Sequence, residues 1–132
     1  MMRSLFFGFG AAVSLFVLAL PPNVAADCGE AISLSPPSEG ATFDGAGRAS
    51  ILSYGSEQTF MVEVDVDVPT GTPLYVFVNG EPAGTITFVP GATLEFSNTN
   101  GARLPSGIDP VCGIGPVSVT DAVGTTLLTG SF

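Results

Sequence analysis

A regular alternation of apolar and polar residues between Phe60 and Val68 constrains the fold most. Phe60 and every second residue after it are apolar, whereas Glu63, Asp65 and Asp67 lie between them. Because successive side chains of a β-strand point to opposite faces, this pattern predicts a strand with one face in a core and the other in water. No stretch of ten or more residues after residue 26 shows the apolar spacing of a helix. We therefore predict an all-β fold.

Turn residues divide the rest of the chain into further short segments of strand type. Strands are predicted at residues 32–34, 48–54, 74–78, 83–89, 92–96, 113–120 and 125–132. Asn79-Gly80 is the residue pair that a two-residue hairpin demands, because both of its positions need a positive φ. We expect hairpin turns also at residues 55–57 and 121–124, and consecutive antiparallel pairing of the strands between residues 74 and 96. About seven or eight short strands predict an antiparallel β-sandwich or small barrel.

The N-terminus has the features of a secretory signal peptide. Arg3 precedes an apolar run at residues 5–20, which is followed by two prolines and then by Val24-Ala25-Ala26. Small residues before a cleavage site are typical of such peptides, so we predict cleavage after Ala26. One alternative is an uncleaved membrane anchor, although the run is shorter than the about 20 residues that span a bilayer. Another is a lipid-modified Cys28, although Asp27 stands where a small residue is needed. The predicted organisation is a signal peptide at residues 1–26 and one all-β domain at residues 27–132, secreted or periplasmic.

The charge balance excludes several classes of function. The 132 residues include 12 Asp and Glu, 3 basic residues that are all arginine, and no His, which gives a formal net charge of -9. Such a chain has no basic surface for nucleic acid or for an anionic membrane, and we expect no membrane insertion after signal cleavage. Without His, the Ser-His-Asp and Cys-His arrangements and the usual zinc sites are excluded. Only a carboxylate pair could act in catalysis, and we predict that the protein is not an enzyme.

Cys28 and Cys112 are predicted to form a disulfide. Export implies an oxidising compartment, and two cysteines are the smallest number that can pair. A bridge between residues 28 and 112 closes a long loop, and such a bridge stabilises a domain by about 4 kcal/mol in the chain-entropy model. The alternative is two free or intermolecular thiols.

Glu63, Asp65 and Asp67 are candidate metal ligands. Their side chains share one face of the predicted strand at intervals of about 6.6 Å. Carboxylate oxygens suit calcium, but a straight strand spreads its carboxylates, so loops would have to supply further ligands. The loop carboxylates that could do so are Asp44, Asp109 and Asp121. The alternative is a solvated, charged strand face that discourages edge-to-edge pairing. We expect no cofactor, with calcium as the alternative.

Tyr75 and Phe77 are the candidate interaction surface. They point to one face of the predicted strand at residues 74–78, whereas Leu74, Val76 and Val78 point to the other. A strand that is apolar on both faces is either covered on both or exposes an aromatic patch. One interpretation packs Tyr75 and Phe77 under the N-terminal segment held by Cys28. The other makes them a shallow surface for a protein or glycan partner.

Several short segments between residues 45 and 132 form a pattern. They are Gly47-Arg48-Ala49, Phe60-Met61-Val62-Glu63-Val64, Val76-Phe77-Val78-Asn79-Gly80, Gly84-Thr85-Ile86, Leu94-Glu95-Phe96, Gly101 with Pro105, and Gly130-Ser131-Phe132. Together they resemble a small β module seen in secreted bacterial proteins of uncharacterised function. The resemblance implies a β domain and an extracytoplasmic location, brings no catalytic or ligand residues, and does not include the two cysteines.

The sequence thus predicts a secreted, acidic β domain with a structural, adhesive or protein-interaction role. The alternative is a small glycan-binding or calcium-binding domain. A calcium titration followed by melting curves distinguishes the two hypotheses.

Overall fold

A computed structural model describes residues 27–37 and 44–132 of the chain. The predicted signal peptide, residues 1–26, lies outside the described residues. Within the described ranges, no helix has the length and apolar character needed to cross a membrane.

The described residues form eight strands and two short 3₁₀ turns. The strands are β1 (Cys28–Leu34), β2 (Gly45–Tyr54), β3 (Glu57–Val66), β4 (Pro73–Val78), β5 (Glu81–Thr87), β6 (Thr93–Ser97), β7 (Pro116–Thr120) and β8 (Thr126–Ser131), and the turns are Thr99–Gly101 and Val111–Gly113. Sheet 1 has the strand order β1-β2-β3-β6, and sheet 2 has the order β5-β4-β7-β8. All neighbouring strands are antiparallel. The predicted antiparallel sandwich is confirmed.

The core lies between the inner faces of the two sheets. Phe60 and Val62 of β3 are fully buried, as the alternation predicts, whereas Glu63 and Asp65 on the same strand are exposed. Sheet 2 contributes a matching set of buried aliphatic residues, namely Leu74, Val76, Val78, Val117, Val119 and Leu128. Each such side chain stabilises the fold by about 1.5–3 kcal/mol relative to exposure. Both sheets therefore contribute mainly aliphatic side chains to the shared core.

The predicted hairpin turns are confirmed. Asn79 and Gly80 have φ values of 53° and 82° and connect β4 to β5, with Val78 opposite Glu81. Two residues, Gly55 and Ser56, connect β2 to β3, and Gly55 has a φ of 63°. In the turn between β7 and β8, Asp121 Oδ1 accepts hydrogen bonds from the backbone N–H groups of Val123 and Thr125 at 3.0 and 2.8 Å.

The expected consecutive pairing between residues 74 and 96 is wrong at its last step. β4 and β5 pair with each other, but β6 crosses to sheet 1 and pairs with β3, where Phe96 lies opposite Phe60. Between β5 and β6 the buried Phe88 and Ala92 hold the chain against the core, and Ala92 O accepts a hydrogen bond from Val64 N at 3.0 Å. Because these two residues are buried, the chain crosses here from sheet 2 to sheet 1 and does not form a tight hairpin.

The two lateral sides of the sandwich are nearly closed. On one side, Ser35 and Thr129 exchange two backbone hydrogen bonds of 3.1 and 2.8 Å, which join the end of β1 to β8. Next to this bridge, a Cβ at Gly130 would lie 2.7 Å from the backbone oxygen of Ser33. On the other side, a Cβ at Gly84 of β5 would lie 2.9 Å from the side chain of Leu94 on β6. Glycine at these two positions lets the sheets approach.

The predicted disulfide between Cys28 and Cys112 is confirmed, with a Cα–Cα distance of 5.9 Å. It ties the start of β1 to the 3₁₀ turn Val111–Gly113. The buried side chain of Gln58 holds the same loop, because its amide donates to Asp109 Oδ1 at 3.2 Å and accepts from Val111 N at 2.8 Å. The disulfide suggests an oxidising environment, extracellular or periplasmic.

Candidate interaction surface

Tyr75 and Phe77 lie near the middle of the outer face of sheet 2. They belong to β4, which runs between β5 and β7, and both side chains are half-buried. β1, the segment held by Cys28, is hydrogen bonded to β2 at the edge of sheet 1. It therefore does not cover the two aromatic side chains, and the interpretation that packs them under this segment is wrong.

Strand register determines which residues surround the two aromatic rings. Tyr75 lies opposite Thr85 of β5 and Thr120 of β7, and Phe77 lies opposite Ser118 of β7. Directly opposite residues of antiparallel strands share a face, so these hydroxyl side chains stand beside the rings. The aromatic pair is therefore flanked by hydroxyl groups on both neighbouring strands.

We call this surface the hydroxyl-aromatic face, and its residues share an outward position and the absence of charge. They include Tyr75, Phe77, Pro82, Thr85, Ser118 and Thr129, and also Thr120, whose side chain is buried. In the four described strands of sheet 2 the one charged residue is Glu81, which lies opposite the buried Val78 and so does not belong to this face. The outer face of sheet 2 is therefore a neutral surface on an acidic protein.

The outer face of sheet 1 differs because it carries charged side chains. Glu63 and Asp65 of β3 and Glu95 of β6 are exposed there, and Arg48 of β2 lies opposite Glu63. We call this surface the acidic face. Its charged groups alternate with the buried residues of the same strands, as expected for a sheet with one wet face.

The structure brings some of the predicted metal ligands near one another. An open groove of about 310 Å³ is lined by Arg48, Glu63 and Asp65, among others, and a second of about 400 Å³ is lined by Asp44, Asp65 and Asp67. Asp67 N donates to Asp44 O at 3.3 Å.

The other two candidate loop ligands lie elsewhere. Asp109 accepts a hydrogen bond from Gln58, and Asp121 shapes the turn between β7 and β8. In the part of the chain that the structure describes, no group of three or more His, Cys, Asp or Glu residues is arranged to hold a metal ion.

Sequence reasoning missed two sets of surface residues. Leu52 and Tyr54 of β2 are 57% and 76% exposed on the outer side of sheet 1, and the alternation within β2 could have indicated their direction. Thr85, Ser118 and Thr129 were missed because they join Tyr75 and Phe77 only through the strand order of sheet 2, for which one sequence carries no signal.

Comparison of the chain with protein-family models, with curated proteins and with solved structures found no match. The resemblance to a β module of secreted bacterial proteins therefore stays a prediction. The geometry of the hydroxyl-aromatic face carries the functional argument by itself.

Proposed function

We propose that the protein is a secreted or periplasmic, non-catalytic interaction domain that binds a protein partner through the hydroxyl-aromatic face. The small all-β sandwich and its disulfide support a structural domain that works in an oxidising compartment. The observation that carries the proposal is the central, half-buried pair Tyr75 and Phe77 on an uncharged face.

The composition of this face resembles the centre of a protein interface. Interface cores are depleted of charged residues and enriched in aromatic ones, and Tyr is common among residues whose truncation weakens binding most. The chain has a net charge of -9, yet the carboxylates of its described residues lie outside this face. The hydroxyl groups of Thr85 and Ser118 can hydrogen bond a partner around the aromatic centre without the desolvation cost of a charge.

Site-specific photo-crosslinking in the producing cell tests this proposal. A photoreactive amino acid replaces Thr85 on β5 or, as the matched control, Thr93 on β6. Both are exposed threonines on edge strands, but Thr85 lies opposite Tyr75 on the hydroxyl-aromatic face and Thr93 lies opposite Glu63 on the acidic face. We expect discrete protein adducts from position 85 and none from position 93. Equal adducts from both positions, or none from position 85, would contradict the proposal.

Glycan binding is the second candidate function, and the spacing of the aromatic pair favours it. Tyr75 and Phe77 occupy alternate positions of one strand, about 6.6 Å apart along its axis, beside hydroxyl groups. The chain has two tyrosines and no tryptophan, so a Tyr54→Phe variant leaves Tyr75 as the fluorescent reporter. If the partner is a protein, soluble oligosaccharides leave this fluorescence unchanged. A saturable change that Phe77→Ser abolishes would favour the glycan.

A further inference from the structure

We infer that the partner of the hydroxyl-aromatic face is a second copy of this chain, packed face to face across a twofold axis. The inference rests on the proposed function, since it names the occupant of the same surface. Two properties of the face point to self-association, namely its neutrality and its self-complementary chemistry, and its size limits the strength of that association.

The neutrality of the hydroxyl-aromatic face matters because two acidic copies of the chain repel each other. Each chain has a net charge of -9, and approach through the acidic face would bring Glu63 and Asp65 against the same residues of the other copy. In the face-to-face arrangement the two sheets 2 are inside and the two acidic faces point away from each other. With packed sheets about 10 Å apart, the acidic faces lie roughly 30 Å apart, well beyond a screening length of about 8 Å.

The residues of the face also complement themselves. In a twofold interface each patch meets the same patch of the partner, so its groups must be able to bind their own kind. The hydroxyls of Thr85 and Ser118 can both donate and accept, whereas carboxylates can only accept. Aromatic rings such as Tyr75 and Phe77 pair favourably with each other in offset or edge-to-face geometry.

The size of the face predicts a weak dimer. Four strands about 4.8 Å apart and about five residues long at 3.3 Å each cover roughly 320 Å² per copy in projection. Both copies together bury roughly 640 Å² on this measure, which is below the about 1,200 Å² of stable complexes. We therefore expect reversible association that becomes visible between about 10 μM and 1 mM protein.

Sedimentation velocity on the oxidised protein, recovered after export of the full chain, tests the inference. The variants are Ser118→Asp and, as the matched control, Ser50→Asp. Both are half-buried serines on the outer face of an interior strand, Ser118 on β7 of sheet 2 and Ser50 on β2 of sheet 1, and both changes add one negative charge. We expect the weight-average sedimentation coefficient of the wild type and of Ser50→Asp to rise with protein concentration. That of Ser118→Asp should stay at the value of a monomer.

A second pair keeps the test usable if Ser118→Asp does not fold, as checked by its melting curve. Thr85→Glu should abolish association and Thr93→Glu should not, because these exposed positions lie on opposite outer faces. Association of the wild type should strengthen with added NaCl, since salt screens the repulsion between two acidic copies.

Three results would overturn the inference: a wild type that is monomeric at every concentration, equal loss of association in both Asp variants, or association that weakens with salt. The proposed function fails separately. If the wild type is monomeric but position 85 crosslinks to a different protein, the face binds a partner and the second copy is excluded. If position 85 crosslinks to nothing, both are wrong.

Discussion

The outer faces of the two sheets differ although their inner faces are alike. Inside, both sheets bury mainly valine, leucine and isoleucine. Outside, sheet 1 presents the carboxylates of Glu63, Asp65 and Glu95 together with the exposed Leu52 and Tyr54. Sheet 2 presents Tyr75, Phe77 and hydroxyl side chains without charge. Core packing constrains only the inward positions, so the outward positions are free to carry different chemistry. The function is therefore expected to depend on the outer faces and not on the shared core.

The two sheets are also held in different ways. The disulfide fastens β1, the edge strand of sheet 1, to the loop at Cys112, whereas no disulfide joins any of the described strands of sheet 2. In sheet 2, the β4–β5 pair depends on a turn with two positive φ values, at Asn79 and Gly80, whereas the β2–β3 turn of sheet 1 has one, at Gly55. The predictions below test this contrast between a covalent constraint and a backbone constraint.

Removing the disulfide should have the largest effect. The double variant Cys28→Ser with Cys112→Ser should lower the free energy of unfolding by about 4 kcal/mol, because the unfolded chain regains the freedom of a long loop. Denaturant unfolding measures the loss, and reduction of the wild type is the control that should reproduce it. Hydrogen exchange should show β1 losing more protection than β4 and β7. A loss spread equally over both sheets would contradict the proposed difference between them.

Changing the turn of sheet 2 should have the next largest effect. Gly80→Val should lower the free energy of unfolding by about 2 kcal/mol or more, because a β-branched residue is strained at a φ of 82°. Gly29→Val on β1 is the matched control, since its Cβ would meet Leu52 at an ordinary 3.6 Å and its φ is not in the left-handed region. We expect the control to change stability by less than about 0.5 kcal/mol. Equal melting curves for Gly80→Val and wild type would show that the turn does not need glycine.

Ions should have the smallest effect, and they act on sheet 1. Unit charges about 7 Å apart in water repel by roughly 0.6 kcal/mol, so NaCl should raise the melting temperature slightly by screening Glu63, Asp65 and Asp67. Calcium at matched ionic strength should add nothing further. A bound calcium at 100 times its Kd would instead add about 2.7 kcal/mol, and Asp65→Asn should remove that increment. A calcium-specific rise that this variant removes would make the acidic face a metal site.

Local patterns in the sequence predicted most of the elements. The alternation after Phe60 predicted β3 and its buried face, Asn79-Gly80 predicted the hairpin between β4 and β5, and the two cysteines predicted the disulfide. These features depend on neighbouring residues or on a single possible pairing. The N-terminal strand was predicted as residues 32–34 but begins at Cys28, because pairing with β2 extends it beyond its apolar residues.

The tertiary structure decided which strands became neighbours. Nothing local to residues 92–96 indicates that β6 leaves β5 and pairs with β3, since the buried Phe88 and Ala92 direct the chain only once the core exists. The same strand order places Thr85 and Thr120 beside Tyr75 and places Ser118 beside Phe77. Sequence by itself determined which residues face inward or outward, because that depends on a period of two. Which outward residues share a face depends on pairing between distant strands, and only the assembled sheets could determine it.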